Sequence, residues 1–237
     1  MKSKIYTLFF SLLFVMSFTL VSFASNSNIK SEQKIDPYIY EILSDYENGQ
    51  FKERNDLINI NPHGFFPEIK NSPNSDVINL YDNRQIGENE FAATRVSIVN
   101  DLEQSNQDEK DGIVAFTTIV YNKLDMNDPY DYVMLTKVKG GIVRQDKAVS
   151  ASSISLRYWV YGDAYTSDGL RKGLEGSEVQ YNGELNNPEI GTTYYIEGPK
   201  DYYYCMGVFG TLTAGFMRIT LSNGSTFECS SAITAIE

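Results

Sequence analysis

The sequence predicts a mainly β protein, an antiparallel β-sandwich-like domain preceded by one N-terminal amphipathic helix and an irregular segment. Two observations carry this fold class. Segments rich in Val, Ile, Thr and aromatic residues fill the chain from Ala92 onward, a composition typical of strands. Three pairs of turn residues interrupt them, namely Gly140-Gly141, Asn182-Gly183 and Asn223-Gly224. Because both central residues of such a turn need positive φ, which Gly and Asn tolerate, each pair predicts a hairpin.

Composition along the chain suggests three parts. We expect a signal peptide over residues 1–24, a helix plus irregular segment over residues 25–91, and an antiparallel β domain over residues 92–237. After the leader, no stretch of the sequence is long and apolar enough to cross a membrane. No alternation of strands and helices, Gly-rich phosphate loop or internal repeat is visible either.

The first residues predict export. Lys2 and Lys4 open an apolar run, and Ser22-Phe23-Ala24 supplies the small residues that signal peptidase recognises, so we expect cleavage after Ala24. An uncleaved anchor is the alternative, because about 20 apolar residues can span a bilayer. Cleavage removes two of the 20 basic residues and none of the 31 acidic ones, so the net charge falls from −11 to −13. So acidic a surface argues against nucleic acid as a partner, since binding it requires Lys and Arg to neutralise phosphates.

Residues 35–49 predict the helix. Asp36 is expected to cap its N-terminus, and Pro37 suits the first helical position, where no N–H group is needed. Asn48-Gly49 predicts its end. An apolar stripe with helical spacing consists of Ile35, Ile39, Ile42, Leu43 and Tyr46. This stripe must pack on another surface.

Residues 52–92 are predicted to be irregular, because prolines and many Asn and Asp residues interrupt every periodic pattern. One short strand is expected there, over residues 77–81. Further strands are predicted over residues 94–100, 113–121, 132–139, 142–145, 154–161, 179–181, 184–185, 216–222 and 225–230.

The strand at residues 154–161 carries the candidate binding site. Strict alternation gives it one face made of Ile154, Leu156, Tyr158 and Val160. The other face carries Arg157, Trp159 and Tyr161, which could form a platform for a sugar ring or for a partner's side chain. Trp and Arg are favoured anchors of interfaces. Burial is the alternative, because large aromatic side chains are highly buried on average.

Catalytic signatures are missing from the sequence. His63 is the only histidine, so a Ser-His-Asp or Cys-His mechanism would have to use it. No nucleophile elbow and no cysteine-protease signature accompany it. Carboxylates are abundant, which leaves a glycosidase-type acid–base pair as an alternative, but no pair stands out. We therefore predict no catalytic residue.

One acidic segment could bind calcium. Asp125, Asn127, Asp128 and Asp131 bring four oxygen ligands within seven residues, a density that calcium could use. The segment lacks the glycine and the terminal glutamate of an EF-hand loop. An Asx-rich turn between two strands is the alternative. No other cofactor is predicted.

Cys205 and Cys229 are the only cysteines. Two cysteines in an exported chain predict a disulfide, worth about 3 kcal/mol, while free buried thiols that act as small hydrophobes are the alternative. A two-residue turn at Asn223-Gly224 would place Arg218 opposite Cys229. In a plain meander Cys205 would then lie about 20 Å along the sheet from Cys229, too far for a bond that needs Cα atoms about 4.4–6.8 Å apart. The disulfide therefore requires residues 203–209 to cross to a facing sheet or to the far side of the Cys229 strand.

The function expected from these features is a secreted or cell-surface binding module for a protein or a glycan, acting through the aromatic strand face. One alternative is an extracellular hydrolase with a carboxylate acid/base pair. Another is a structural or inhibitory partner of a secreted protein that docks through the helix. The first requires an accessible aromatic face, the second a cleft with carboxylates about 5–10 Å apart, and the third an uncovered helix stripe.

Overall fold

The structure is a computed structural model that describes residues 28–52, 54–55, 75–101, 112–125, 131–145, 150–162, 164–165, 177–199, 202–205, 212–222 and 224–234. The predicted leader and His63 lie outside these residues. Within the described ranges, no helix has the length and apolarity needed to cross a membrane.

The described elements are thirteen strands and one helix. In chain order they are β1 (Lys30–Glu32), α1 (Pro37–Glu47), β2 (Arg54–Asn55), β3 (Ser75–Gln85), β4 (Glu90–Asp101), β5 (Ile113–Leu124), β6 (Tyr132–Gln145), β7 (Ala151–Gly162), β8 (Ala164–Tyr165), β9 (Ser177–Asn186), β10 (Thr193–Glu197), β11 (Tyr203–Cys205), β12 (Leu212–Leu221) and β13 (Thr226–Thr234).

Two sheets, which we call the large sheet and the small sheet, contain all the described strands. The large sheet has the order β1-β10-β6-β5-β4-β3-β2, with β11 pairing with both β6 and β8. The small sheet has the order β13-β12-β7-β9. All pairs are antiparallel except β2 with β3. The predicted mainly β, antiparallel architecture is confirmed.

The main core lies between the sheets. Ile119, Leu135 and Ile142 of the large sheet pack there with Leu156 and Met217 of the small sheet, all of them at most 1% exposed. Because successive strand residues point to opposite faces, the neighbouring residues of β4 and β5 point away from this core. The large sheet therefore has a second apolar face.

Helix α1 covers that second face. Its predicted stripe packs there, with Ile39 and Ile42 completely or almost completely buried against Val96, Ile98 and Phe116. The helix begins at Pro37, as predicted, but Asp36 makes no side-chain capping bond. Its carboxylate accepts a hydrogen bond from Lys139 Nζ at 3.2 Å instead. The stripe is thus used inside the protein, which removes the basis for docking a partner through the helix.

Strand β3 is longer than predicted. It runs from Ser75 to Gln85 and pairs with β4 along its whole length. The extra residues include Asp82 and Asn83, whose residue types oppose a strand but whose side chains are buried and bonded. Contacts with other strands therefore outweigh the low strand propensity of Asp82 and Asn83.

Two of the three predicted hairpin turns are wrong. Gly140 and Gly141 lie in the middle of β6, and Gly183 lies inside β9. A Cβ atom on Gly140 would approach Met217 Sδ to 2.7 Å, and one on Gly183 would approach Ile29 Cγ1 to 2.8 Å. These glycines allow neighbouring layers to approach closely and do not turn the chain.

The third predicted hairpin, between β12 and β13, is confirmed with a different loop. Leu221 N–H donates to Ser225 O at 2.8 Å, and Gly224, with φ of 84°, donates to Leu221 O at 2.9 Å. Three residues therefore lie between the paired ends, where two were expected. The register shifts by one, so that Met217 lies opposite Cys229 and Arg218 opposite Glu228. The shift keeps Arg218 out of the core.

The predicted disulfide is wrong, because both cysteines are free and buried. The chain does cross between sheets as the bond would require, since β11 pairs with β6 of the large sheet. Cys205 lies opposite Tyr132 in β6, whereas Cys229 contacts Ser97 in β4. The two sites lie far apart along β5, because Ser97 pairs with Ala115 and Tyr132 pairs with Leu124, nine residues or about 30 Å further along that strand. A disulfide cannot span that separation.

Candidate functional site

The outward face of the small sheet holds the predicted binding residues. In β7 the even-numbered positions from Ile154 to Val160 are buried, and the odd-numbered positions point away from the core. Arg157, Trp159 and Tyr161 therefore share the outer face, as the alternation predicted. Strand β7 is central in the small sheet, between β12 and β9, so hydrogen bonds hold it on both sides.

The register of the sheet defines the surroundings of these residues. Phe216 of β12 lies opposite Arg157, and Ala214 lies opposite Trp159. Across the next pairing, Ala232 of β13 lies opposite Ala214. Phe216, Ala214 and Ala232 form a small apolar cluster against which Trp159 packs. This apolar patch lies at the centre of the outer face, and Trp159 is the one member of it that reaches solvent, because Phe216, Ala214 and Ala232 are buried.

Access to this face is partial. Tyr161 is 39% exposed, the side chain of Arg157 is 42% exposed, and Trp159 is half-buried. The indole Nε1 of Trp159 is covered and has no hydrogen-bond partner among the described residues. The three residues are therefore partly accessible, and the packing of Trp159 also restrains its side chain, as is expected in a preformed surface site.

A buried carboxylate organises the charges on the outer face. Glu228 of β13 has a side chain that is only 6% exposed. Arg157 Nη2 donates to both of its oxygens at 3.1 Å, and Arg218 Nη2 donates to one at 3.4 Å. The guanidinium of Arg157 also lies over the Phe216 ring, 4.4 Å from its centre. We call Arg157, Glu228 and Arg218 the arginine–glutamate triad.

Sequence reasoning missed Glu228 and Arg218 as part of this site. The register of the β12–β13 hairpin would have revealed them, because a three-residue loop places Arg218 opposite Glu228 on the outward face. A two-residue loop, the one expected from Asn223-Gly224, instead pairs Arg218 with Cys229. Local sequence does not distinguish these loops well, since Gly with positive φ occurs in both.

The predicted calcium ligands are described only in part. Asp125 and Asp131 are exposed, and Asp131 lies 3.4 Å from Lys123 Nζ. Asn127 and Asp128 lie outside the described residues. Within the part of the chain that the structure describes, no group of three or more His, Cys, Asp or Glu side chains could hold a metal ion. The calcium site remains a prediction.

A cleft lies at the start of α1. This cleft, with a volume of about 640 Å³, is lined by Asp36, Pro37, Tyr38, Glu41, Arg84, Ile86 and Lys139. Its charges neutralise one another, since Arg84 pairs with Glu41 at 2.7 Å and Lys139 pairs with Asp36 at 3.2 Å. Burial alone would lower the pKa of Lys139, but the carboxylates of Asp36 and Glu32 outweigh burial and raise it. The carboxylates of this cleft thus hold α1 against the large sheet.

Neither a family model nor a curated protein matches this chain. The function therefore has to be inferred from residues and their surroundings. Among the described residues, the outer face of the small sheet combines accessible aromatic rings, unused hydrogen-bond donors and a rigid strand. The α1 cleft combines fewer of these properties, because its ionised groups already bind one another.

Proposed function

We propose that this protein is an exported binding module that takes a carbohydrate on the outer face of its small sheet, acting by binding and not by catalysis. The observation that carries the proposal is the shared, partly exposed position of Arg157, Trp159 and Tyr161 on one central strand. Aromatic rings offer an apolar surface of defined shape, and neighbouring polar groups supply orientation. A sugar ring needs both.

The size of the apolar patch favours a small ligand over a protein. Tyr161, at 39%, is the most exposed large hydrophobic residue of the described outer face, while Phe216 and Ala232 are buried. A stable protein interface typically covers about 800 Å² per partner and has an apolar centre. A sugar requires only one or two ring faces, with hydroxyl partners around them. Ser155, Arg157 and Arg218 are such partners on this face.

The construction of the face also suits a ligand that binds without rearrangement. Trp159 packs on Ala214 and Ala232, and Glu228 holds Arg157 in place. Side chains restrained before binding lose little conformational entropy when the ligand arrives. Because this entropy loss is small, a small hydrated ligand can bind even though its contact area is modest.

A glycan array probed with the mature protein tests the proposal. We expect a defined set of glycans to bind, with affinity reduced at least about tenfold by Tyr161→Ala or Trp159→Ala, the usual cost of losing a central aromatic anchor. Tyr40→Ala is the matched control, because Tyr40 is 48% exposed but lies on α1, away from the small sheet. Circular dichroism checks that each variant is folded.

Three outcomes would contradict the proposal. One is the absence of any bound glycan, and a second is binding that both outer-face variants retain. The third is a protein ligand whose binding depends on Trp159, which would keep the site but change the ligand class. Loss of binding in Tyr40→Ala alone would move the site to α1.

A further inference from the structure

The arginine–glutamate triad carries one uncompensated positive charge. Two guanidinium groups share the single carboxylate of Glu228. Both arginines are accessible, with side chains 42% and 56% exposed for Arg157 and Arg218. On a chain whose formal net charge is −11, this is a local reversal of sign. Charge of this kind selects ligands at short range, since exposed charges are screened within about 8–10 Å at moderate ionic strength.

The hydrogen bonds of the triad leave donors unused. The described bonds of both arginines to Glu228 involve Nη2. Each guanidinium has five N–H groups in a fixed plane, so others remain directed elsewhere. Such groups match the geometry of a carboxylate or sulfate, and an Arg fork binds these anions in preference to neutral hydroxyls. Glu228 thus positions the arginines without consuming their capacity.

Two glutamates of β9 lie on the same face, and neither cancels this charge. Glu178 lies opposite Tyr161, four residues or about 13 Å along β7 from Arg157. Glu184 of β9 is exposed and lies opposite Ser155, which in turn lies opposite Arg218. Two strand spacings therefore separate the backbone of Glu184 from that of Arg218, about 10 Å. Across that distance in water, the interaction is weak and largely screened.

The N–H donors of Arg157 lie close to the aromatic ring of Trp159. Arg157 covers the ring of Phe216, and two positions further along β7 is Trp159. Residues two apart on one strand face are about 7 Å apart, which is within the reach of one substituted sugar ring. One ligand can therefore contact an aromatic ring and a guanidinium together.

We infer that this face selects an acidic sugar, a pyranose that carries a carboxylate or a sulfate group. The inference rests on the proposed function and deepens it. The anionic group accepts hydrogen bonds from Arg218 and Arg157, and the ring packs against Trp159 and Tyr161. A neutral analogue keeps the ring contact and loses the charged one.

Matched pairs of oligosaccharides test this selectivity. Oligogalacturonate is compared with its methyl ester, and a sulfated oligosaccharide with its desulfated form. Trp159 is the only tryptophan of the chain, so its fluorescence can report binding at this face directly. We expect the acidic member of at least one pair to bind about tenfold more tightly at low salt, with the preference shrinking as salt is added. The pair that responds identifies carboxylate or sulfate as the anion.

Variants separate the charge from the ring contact. Arg218→Gln should abolish the preference for the acidic member, because it removes the surplus positive charge of the triad and lowers the affinity for the acidic member about tenfold, to that of the neutral member. Arg144→Gln is the matched control, because Arg144 is similarly exposed but pairs with Glu47 of α1. Arg144→Gln should keep the full preference.

Failure of this inference is distinguishable from failure of the proposed function. Equal affinity for acidic and neutral members, both lost in Trp159→Ala, would overturn the acidic sugar and keep the carbohydrate site. A preference that survives in Arg218→Gln would also overturn it. If an acidic peptide binds and no acidic glycan does, the positive charge of the triad serves a protein ligand, and the inference of an acidic sugar is wrong. Absence of binding to every glycan tested would remove the proposed function itself.

Discussion

Met217 lies directly opposite Cys229 in the hairpin of β12 and β13, and both side chains are completely buried between the sheets. Cys229 Sγ accepts a hydrogen bond from Ser97 Oγ at 3.2 Å. Cys205 is equally enclosed but lies in β11, opposite Tyr132. Each thiol is therefore buried in its own surroundings, and no disulfide joins the two.

The first prediction concerns these thiols. Alkylation of the purified protein in denaturant, without reductant, should add two groups, because neither thiol is oxidised. In the folded protein the same reagent should add none, since both thiols are buried. Mass spectrometry measures both results. A denatured chain that accepts no reagent until it is reduced would contradict the structure.

The second prediction concerns the close approach of the sheets at Gly215. A Cβ atom there would lie 2.7 Å from Ile119 Cγ2 and 2.8 Å from Val138 Cγ1. Gly215→Ala should therefore lower the free energy of unfolding by about 1–3 kcal/mol, the usual cost of overpacking. Val138→Ala should cost a similar amount by leaving a cavity.

The double variant provides the decisive comparison. The methyl group that Gly215→Ala adds occupies space that the shortened side chain at position 138 has vacated, so the combined loss should be smaller than the sum of the single losses. Urea denaturation measures all four proteins. Strict additivity would mean that the two positions do not share a contact.

The third prediction concerns Glu228. Glu228→Gln should destabilise the protein by about 1–3 kcal/mol, because it leaves two arginines without their buried anionic partner. Glu184→Gln is the control on the same sheet face, and this exposed change should alter stability by less than about 0.5 kcal/mol. Equal stability of the two variants would show that the triad contributes nothing to folding.

The fourth prediction concerns alkaline pH. Burial raises the pKa of Tyr121 to about 12 and that of Tyr204 to about 12. In the unfolded chain tyrosine ionises near pH 10. Their contribution to stability is therefore fully present below about pH 10 and is lost as the pH rises towards about 12. Lys139, whose pKa is also raised, acts in the same direction.

The two tyrosines differ in a way that provides an internal control. Tyr121 OH donates to Asn83 Oδ1 at 3.0 Å, whereas Tyr204 OH has no partner among the described residues. Tyr121→Phe should cost about 1 kcal/mol at neutral pH, the usual net value of a hydrogen bond. Tyr204→Phe should cost little at neutral pH and make the protein more resistant above pH 10. Absorbance of tyrosinate and circular dichroism follow both effects, and an unchanged alkaline midpoint in Tyr204→Phe would contradict the assignment.

Patterns contained within one element predicted structure well. Pro37 marks the start of α1, and the apolar stripe of that helix packs as its spacing indicates. The alternation in β7 correctly divides its residues between the core and the outer face. These patterns succeed because the periods of helices and strands are properties of the backbone itself.

Glycines are harder to interpret from sequence, because the same residue type both turns the chain and allows another element to approach closely. Gly224 has a positive φ and turns the chain, while Gly140 and Gly183 lie within strands beneath side chains of other elements. The atoms that require a missing Cβ at Gly140 belong to Met217 and Leu156, far away in the sequence. Nothing adjacent to Gly140 indicates them.

The sequence by itself determined the β class, the helix and the outward position of Arg157, Trp159 and Tyr161, since each depends on the spacing of nearby residues. Only the tertiary structure decided the register of β12 and β13, the separation of Cys205 from Cys229 and the meeting of Arg157 with Glu228. Those relationships join residues that are distant in the chain. A one-residue change of register reverses every face of a strand, and the packing of one sheet on the other, not the turn dipeptide, selects the register that buries Cys229 and exposes Arg218.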